Sequence, residues 1–310
     1  METIRIAQVD AFTDEPLAGN PAGVVPDAGG LSDDQMQAIA AEMAVSETAF
    51  LSGGAEADRR VRYFTPAQEV DLCGHATVGS FAYLLENGDI EPGTTTLETN
   101  VGVLEIEVEA DGTVWMTQDA PTIREVDLEY GRIADALDVD EGALEGVGAD
   151  LPPAVTSTGL PWLAVPITYL SDVGEASPDP RAIESLTDDV DAVGVYLFTF
   201  DALEADSTLH GRAFAPGAGV TEDPVTGTAS GAVAAYLERF GAFDEWPEEL
   251  RLEQGHYVDR PGLVRVRLEG HDPGAGYGYE TRVRVGGRGV TVLDGSLQVP
   301  ADEDDDILVA

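Results

Sequence analysis

Lysine is absent from this chain, and cysteine occurs once, as Cys73. Without lysine there is no Schiff base, which excludes pyridoxal-phosphate chemistry, and no Walker-type phosphate loop. One thiol makes neither an internal disulfide nor a cysteine-built metal cage. Basic charge is scarce too: 16 arginines stand against 59 acidic residues, a formal net charge of −43 that repels nucleic acid and anionic lipid. No apolar run approaches the roughly 20 residues of a membrane span. The opening Met1-Glu2-Thr3-Ile4-Arg5-Ile6 reads as a strand rather than a signal peptide. His210, His256 and His271 have no ligand spacing, and Gly217-Ala218-Gly219 is a lone glycine pair, not a dinucleotide fingerprint. No metal site is expected from the histidines, and no dinucleotide site from the glycines.

What is present is a globular composition. The 310 residues are 43% hydrophobic, enough for a sizeable core and for two domains. A cytoplasmic enzyme fits. The acidic residues are spread throughout, with a dense run only from Asp302 to Asp306. Charge distributed in this way suits solubility in high salt, where screening removes self-repulsion.

The halves resemble each other. Arg62-Tyr63-Phe64-Thr65-Pro66 is echoed by Arg212-Ala213-Phe214-Ala215-Pro216. Gly74, Tyr83-Leu84 and Gly88 then match Gly227, Tyr236-Leu237 and Gly241 at identical spacing. Gly19-Asn20-Pro21 and Val25 stand beside Gly159-Leu160-Pro161 and Val165 in the same way. Matches kept in order indicate an internal duplication with a period too long for a solenoid. We expect two pseudo-equivalent α+β domains, residues 1–118 and 119–310, the last strand being free to cross back to the first. Each domain wraps a mixed sheet around its own small-residue helix, about 75–86 in the first and 228–240 in the second.

Local signals fill in the rest. Ser32 and Gln35 form a capping box before a helix whose apolar stripe is Met36, Ile39, Ala40 and Met43. Glu47 follows that helix and opens the strand Ala49-Phe50-Leu51. Thr95 to Val108 and Thr113 to Thr117 read as strands about an Asp111-Gly112 turn. Tyr130 to Leu137 reads as a helix, and Val193 to Phe200 as a buried strand.

Three polar residues are candidates for chemistry. A carboxylate at the start of an apolar strand is either a surface group or one whose burial raises its pKa and suits it to both taking and giving a proton, and Glu47 admits both readings. His75 lies in the first turn of the first small-residue helix, where the dipole favours a neutral, hydrogen-bonding imidazole; a plain helix-start histidine fits equally. Asp223 precedes Pro224 as an ordinary helix-entry carboxylate would, yet its place in the repeat matches the His75 region. The helix N-termini at Gly74 and at Gly227-Thr228 offer backbone N–H groups to an anion. Cys73 sits where a thiolate would be stabilised, but a two-base racemase needs a second thiol at the matching place, which is Thr226. A small buried residue is the preferred reading.

Together, Gly19-Asn20-Pro21-Ala22-Gly23-Val24, Ser46-Glu47-Thr48-Ala49-Phe50, Asp71-Leu72-Cys73-Gly74-His75-Ala76-Thr77 and Phe214-Ala215-Pro216-Gly217 with Glu222-Asp223-Pro224-Val225-Thr226-Gly227-Thr228-Ala229 resemble the PhzF family of phenazine-biosynthesis-type isomerases. The resemblance implies a diaminopimelate-epimerase-like fold with the active site between two similar domains, no cofactor, and a homodimer. By position, Glu47 matches the family's general acid/base, and His75 and Asp223 its supporting polar residues. Thr228 falls where the phenazine enzyme, which isomerises trans-2,3-dihydro-3-hydroxyanthranilate, has a serine. The implied activity is proton movement within a small carboxylate substrate held at Gly74, Gly227 and Thr228. A racemase or epimerase on the same fold and a non-catalytic ligand-binding relative are the alternatives.

Overall fold

A helix with no polar face must be covered on all sides. The computed structural model, which describes residues 2–148, 150–270 and 281–300, contains two such helices. In Gly74–Glu86 every residue from Ala76 to Leu84 is buried, and in Gly227–Arg239 every residue from Ala229 to Leu237. Both are 13 residues long. Both end in a glycine with positive φ, Gly88 at 72° and Gly241 at 65°, and the closing backbone bonds repeat residue for residue. His271 and the run Asp302 to Asp306 lie outside the described residues.

The chain divides into two compact units, one of Met1–Leu17, Pro21–Val114 and Arg288–Ala310, the other of Ala18–Asn20 and Trp115–Gly287. In the first, Gly289–Val299 pairs antiparallel with Glu2–Ala11. Asn20–Val25 runs parallel to Glu47–Gly53, which pairs antiparallel with Arg59–Phe64. Arg59–Phe64 runs parallel to Gly93–Thr99, itself antiparallel to Gly102–Val108, and carries the short strand Glu69–Val70 on its side. The second unit repeats the succession. Pro161–Pro166 runs parallel to Gly194–Thr199, which pairs antiparallel with Leu209–Ala215. That strand runs parallel to Leu250–Gln254, itself antiparallel to Gly262–Glu269, and carries Val220–Asp223 on its side. The duplication legible in the residues is therefore also one of strand pairing.

The inner strands of each unit bury both faces, and side chains alternate between them. In the first unit Tyr63 faces the central helix, its hydroxyl 2.6 Å from Thr77 Oγ1, while its neighbour Phe64 joins Phe50 in packing against Met36 and Ile39 of the helix Asp33–Met43. In the second, Phe198 packs edge-on against Tyr236 of the central helix, while Val195 and Leu197 pack beneath the helices Tyr130–Leu137 and Pro180–Asp188. Burying one such large side chain contributes about 1.5–3 kcal/mol. The Ser32–Gln35 capping box forms as read, and Tyr130–Leu137 is a helix at the expected bounds.

The long strand expected from Thr95 to Val108 is instead a hairpin, with Thr99 opposite Gly102 and Asn100-Val101 as its turn. Gly102 takes a φ of +126°, which a side chain would resist, and Thr99 Oγ1 donates to its carbonyl at 2.9 Å. The short helices Glu141–Glu145 and Leu170–Glu175 and the strand Thr122–Glu125 carried too little periodicity to be expected.

Candidate active site

Period two in the strand decides where Glu47 goes. Ala49 lies directly opposite Tyr63, so it shares the face that looks onto the central helix, and Glu47, two residues earlier, shares it as well. As the first residue of Glu47–Gly53 it stands at the end of the strand beside the first helical turn. Its Oε2 is 3.3 Å from His75 Nε2, with side-chain exposures of 22% for Glu47 and 12% for His75. Ser46 Oγ lies 3.2 Å from the same nitrogen, and Cys73 Sγ lies 3.4 Å from Nδ1 and 3.9 Å from Nε2. Ligand atoms of Glu47, Cys73 and His75 all fall within 4.8 Å of one another.

The helix mouth itself is left open. Cys73 is the N-cap of Gly74–Glu86, in extended conformation and without a side-chain capping bond. The first-turn N–H groups of a helix have no intrahelical partner, so those of Gly74 and His75 are available to an anion. Gly74 and His75 are half-buried, whereas the helix beyond them is buried.

The second unit presents the same construction with other side chains. Thr226 is the N-cap of Gly227–Arg239, again extended and again without a capping bond. Ser230 Oγ donates to the Thr226 carbonyl at 2.9 Å, as Thr77 Oγ1 does to that of Cys73 at 2.7 Å. Thr226 Oγ1 donates to Asp223 Oδ2 at 2.5 Å, and Asn20 Nδ2 donates to Asp223 Oδ1 and to the Val225 carbonyl, both at 2.9 Å. Gln254 ties down the loop: its Nε2 donates to the Asp223 carbonyl at 2.7 Å and its Oε1 accepts from Thr226 N at 3.1 Å. Thr228 Oγ1 accepts from Trp162 Nε1 at 3.3 Å, which fixes its hydroxyl oxygen at the helix start.

Comparison with known proteins decides what this pair of constructions belongs to. Residues 9–295 match the family model of the phenazine biosynthesis-like proteins, PhzC–PhzF. The chain belongs to this family. It is 37% identical over 273 residues to the uncharacterized isomerase YfhB of Bacillus subtilis, covering 86% of this chain and 92% of that one. It is 32% identical over 297 residues to the trans-2,3-dihydro-3-hydroxyanthranilate isomerase of Pseudomonas chlororaphis, covering 93% and 97%. The crystal structure of the PhzF-family phenazine biosynthesis protein of Bacillus anthracis superposes with a TM-score of 0.87 at 32% identity, covering 96% of this chain and 100% of that one. The protein is thus a PhzF-like isomerase with the α+β, diaminopimelate-epimerase-like fold of the family.

Of the residues singled out in the sequence, the fold of the first unit brings together Glu47, Gly74 and His75, and that of the second gathers Asp223, Gly227 and Thr228 about one helix mouth. Ser46, Asn20, Thr226 and Gln254 were not singled out for a role. Asn20 and Ser46 lie inside the motifs that carry the family resemblance and Thr226 at the paired N-cap, so the sequence holds a signal for each. Gln254 ends an ordinary strand, and its sequence gave none. Among the described residues no helix is long and apolar enough to cross a membrane.

Proposed function

We propose that this isomerase moves a proton within a small carboxylate substrate without a cofactor, Glu47 serving as general acid and base. The observation that carries this reading is the half-buried Glu47 carboxylate 3.3 Å from His75 at an uncapped helix mouth. A substrate carboxylate accepts hydrogen bonds from the first-turn N–H groups of an uncapped helix mouth, such as Gly74-His75 beside Glu47 or Gly227-Thr228 beside Asp223. Glu47 removes a proton from an activated C–H and returns it to another carbon of the same conjugated system. His75 and Asp223 orient the substrate. The relative from Pseudomonas chlororaphis, named for isomerising trans-2,3-dihydro-3-hydroxyanthranilate, supports the reaction type and makes that compound the first to try.

Two-thiol racemisation finds less support. The position paired with Cys73 is Thr226, whose hydroxyl is engaged by Asp223. The test is solvent-deuterium exchange into a panel of cyclic and acyclic carboxylates, with trans-2,3-dihydro-3-hydroxyanthranilate among them. Glu47→Gln keeps shape and hydrogen bonding but removes the base, so exchange should fall by at least the roughly 10²–10⁴-fold of positioned acid/base catalysis, with substrate binding largely kept. Cys73→Ser should be nearly silent. If the two variants behaved in the opposite sense, a thiol racemase would replace this reading, and a wild-type protein that binds but exchanges nothing would point to a ligand-binding relative.

A further inference from the structure

Three donors of different chemistry converge on the His75 ring: a carboxylate oxygen of Glu47, a ring nitrogen and the sulfur of Cys73, all within 4.8 Å of one another. Glu47 Oε2 and His75 Nε2 are 3.3 Å apart, and Cys73 Sγ and the same nitrogen 3.9 Å apart. Ligand atoms of a tetrahedral zinc, bonded at about 2.0–2.3 Å, lie roughly 3.3–3.7 Å from each other; the Glu47–His75 pair already stands at that spacing, and the thiol, now 3.4 Å from Nδ1, must turn about its side chain toward the Nε2 side to complete a three-ligand set. One sulfur, one imidazole and one carboxylate form a borderline-soft set suited to Zn2+ rather than to Mg2+ or Ca2+. A thiolate and a carboxylate also balance a divalent charge. Cys73 sits at the N-terminus of Gly74–Glu86, buried at 8% exposure, while its two partners keep partial access to solvent.

We infer that Glu47, Cys73 and His75 form an inhibitory site for a borderline-soft divalent cation, Zn2+ foremost. The metal closes the site rather than working it. Coordination to Zn2+ withdraws charge from the Glu47 carboxylate and lowers its basicity, the ion occupies the space a substrate C–H would enter, and a metal-bound imidazole no longer offers that nitrogen to substrate. On binding, the Cys73 S–H proton goes to solvent and the sulfur–metal bond takes its place, so occupancy falls as pH falls. Binding stands on the cluster alone; inhibition rests on the acid/base reading of Glu47 given above. The net charge of −43 raises the local concentration of any divalent cation, which strengthens the effect and also creates a background that the test must exclude.

Cys73 is the chain's only cysteine, so a thiolate-to-metal charge-transfer band with Co2+ reports this site and no other. The experiment titrates the full chain with Co2+ in molar KCl and excess Mg2+, which occupy the scattered carboxylates, and then displaces Co2+ with Zn2+. One Co2+ per chain with a thiolate band, lost in Cys73→Ser, is the expected result. Zn2+ should abolish deuterium exchange in the wild type, and a chelator should restore it. Cys73→Ser should keep its exchange activity and require at least the roughly 10–100-fold more Zn2+ that loss of even an outer-shell partner costs. Absence of the band, or equal Zn2+ inhibition of wild type and Cys73→Ser, overturns the proposal. The band needs no substrate: a band in a protein that exchanges nothing supports the metal site and refutes the acid/base reading instead.

Discussion

Asp223 receives hydrogen bonds from two neutral side chains. Thr226 and Asn20 each donate to one of its oxygens, and Gln254 fastens the loop that carries it. Gln254 is 1% exposed, and its amide uses both ends, donating to the Asp223 carbonyl and accepting from Thr226 N. Gln254→Leu is close in volume but leaves a buried C=O and a buried N–H without their partners. A buried polar group without a partner costs about 1–3 kcal/mol. We expect that variant to lose stability on this scale in urea denaturation, whereas an exposed substitution such as Gln298→Leu should stay within about 0.5 kcal/mol. A silent Gln254→Leu would show that the loop finds other partners and that Asp223 is not fixed in this way.

At the scale of elements, the strands Leu209–Ala215 and Leu250–Gln254 run parallel and bring His210 and His256, 46 residues apart, into contact, Nε2 to Nδ1 at 3.1 Å. His210 is fully buried, and among the described residues its Nδ1 has no hydrogen-bond partner. Burial first, then the neighbouring His256 and Arg212, push His210 down to about 4, against the pull of Glu253; burial lowers His256 as well. A histidine with a depressed folded pKa binds fewer protons folded than unfolded, so it supports the fold fully above about pH 6.5 and loses that support as pH falls toward about 4. Across that window the wild type should lose up to about 1.4 kcal/mol per pH unit more than His210→Gln, which cannot titrate but keeps a hydrogen-bonding nitrogen in place. Carboxylate protonation acts on both proteins alike, so the difference in urea-derived stability between pH 7 and pH 5 isolates the pair; equal slopes would rule it out. In sequence the histidines looked scattered because only a parallel pairing joins them. What was legible is local or repeated: the Ser32 capping box, the helix Tyr130–Leu137, the two central helices, Glu47 at a strand start and His75 in a first helical turn. What was not is contact across long separations. Asn20 meets Asp223 from 203 residues away and Gln254 from 31, and no periodicity within either segment marks the partner. The turn at Asn100-Val101 was hidden for a different reason, since the threonines and valines on both sides continue a single strand pattern.

For the whole molecule the governing quantity is charge. The 16 arginines cannot neutralise 59 acidic residues, and several are already committed to carboxylates, Arg62 to Asp33 and Glu69, Arg212 to Glu222, Arg265 and Arg267 both to Glu249. Two opposing effects of salt follow. Screening weakens favourable pairs such as Arg5–Asp294, whose side chains are 49% and 37% exposed, but an exposed pair contributes only about 0–1 kcal/mol. Screening also weakens repulsion among an excess of 43 negative charges, which compaction on folding brings closer together. The second effect involves far more charge than the first, so stability should rise with salt. Most of the rise belongs where the Debye length shrinks from about 30 Å at 0.01 M to about 3 Å at 1 M. Thermal melts in KCl across that range should therefore climb steeply and then flatten, while sucrose at matched osmolality should not reproduce the climb. Guanidinium chloride, itself a salt, should stabilise the fold at low concentration before unfolding it, whereas urea should destabilise from the first addition. A melting temperature that is flat or falls between 0.01 M and 1 M KCl would mean that the arginine pairs outweigh the repulsion, and the acidic surface would then need an explanation other than salt.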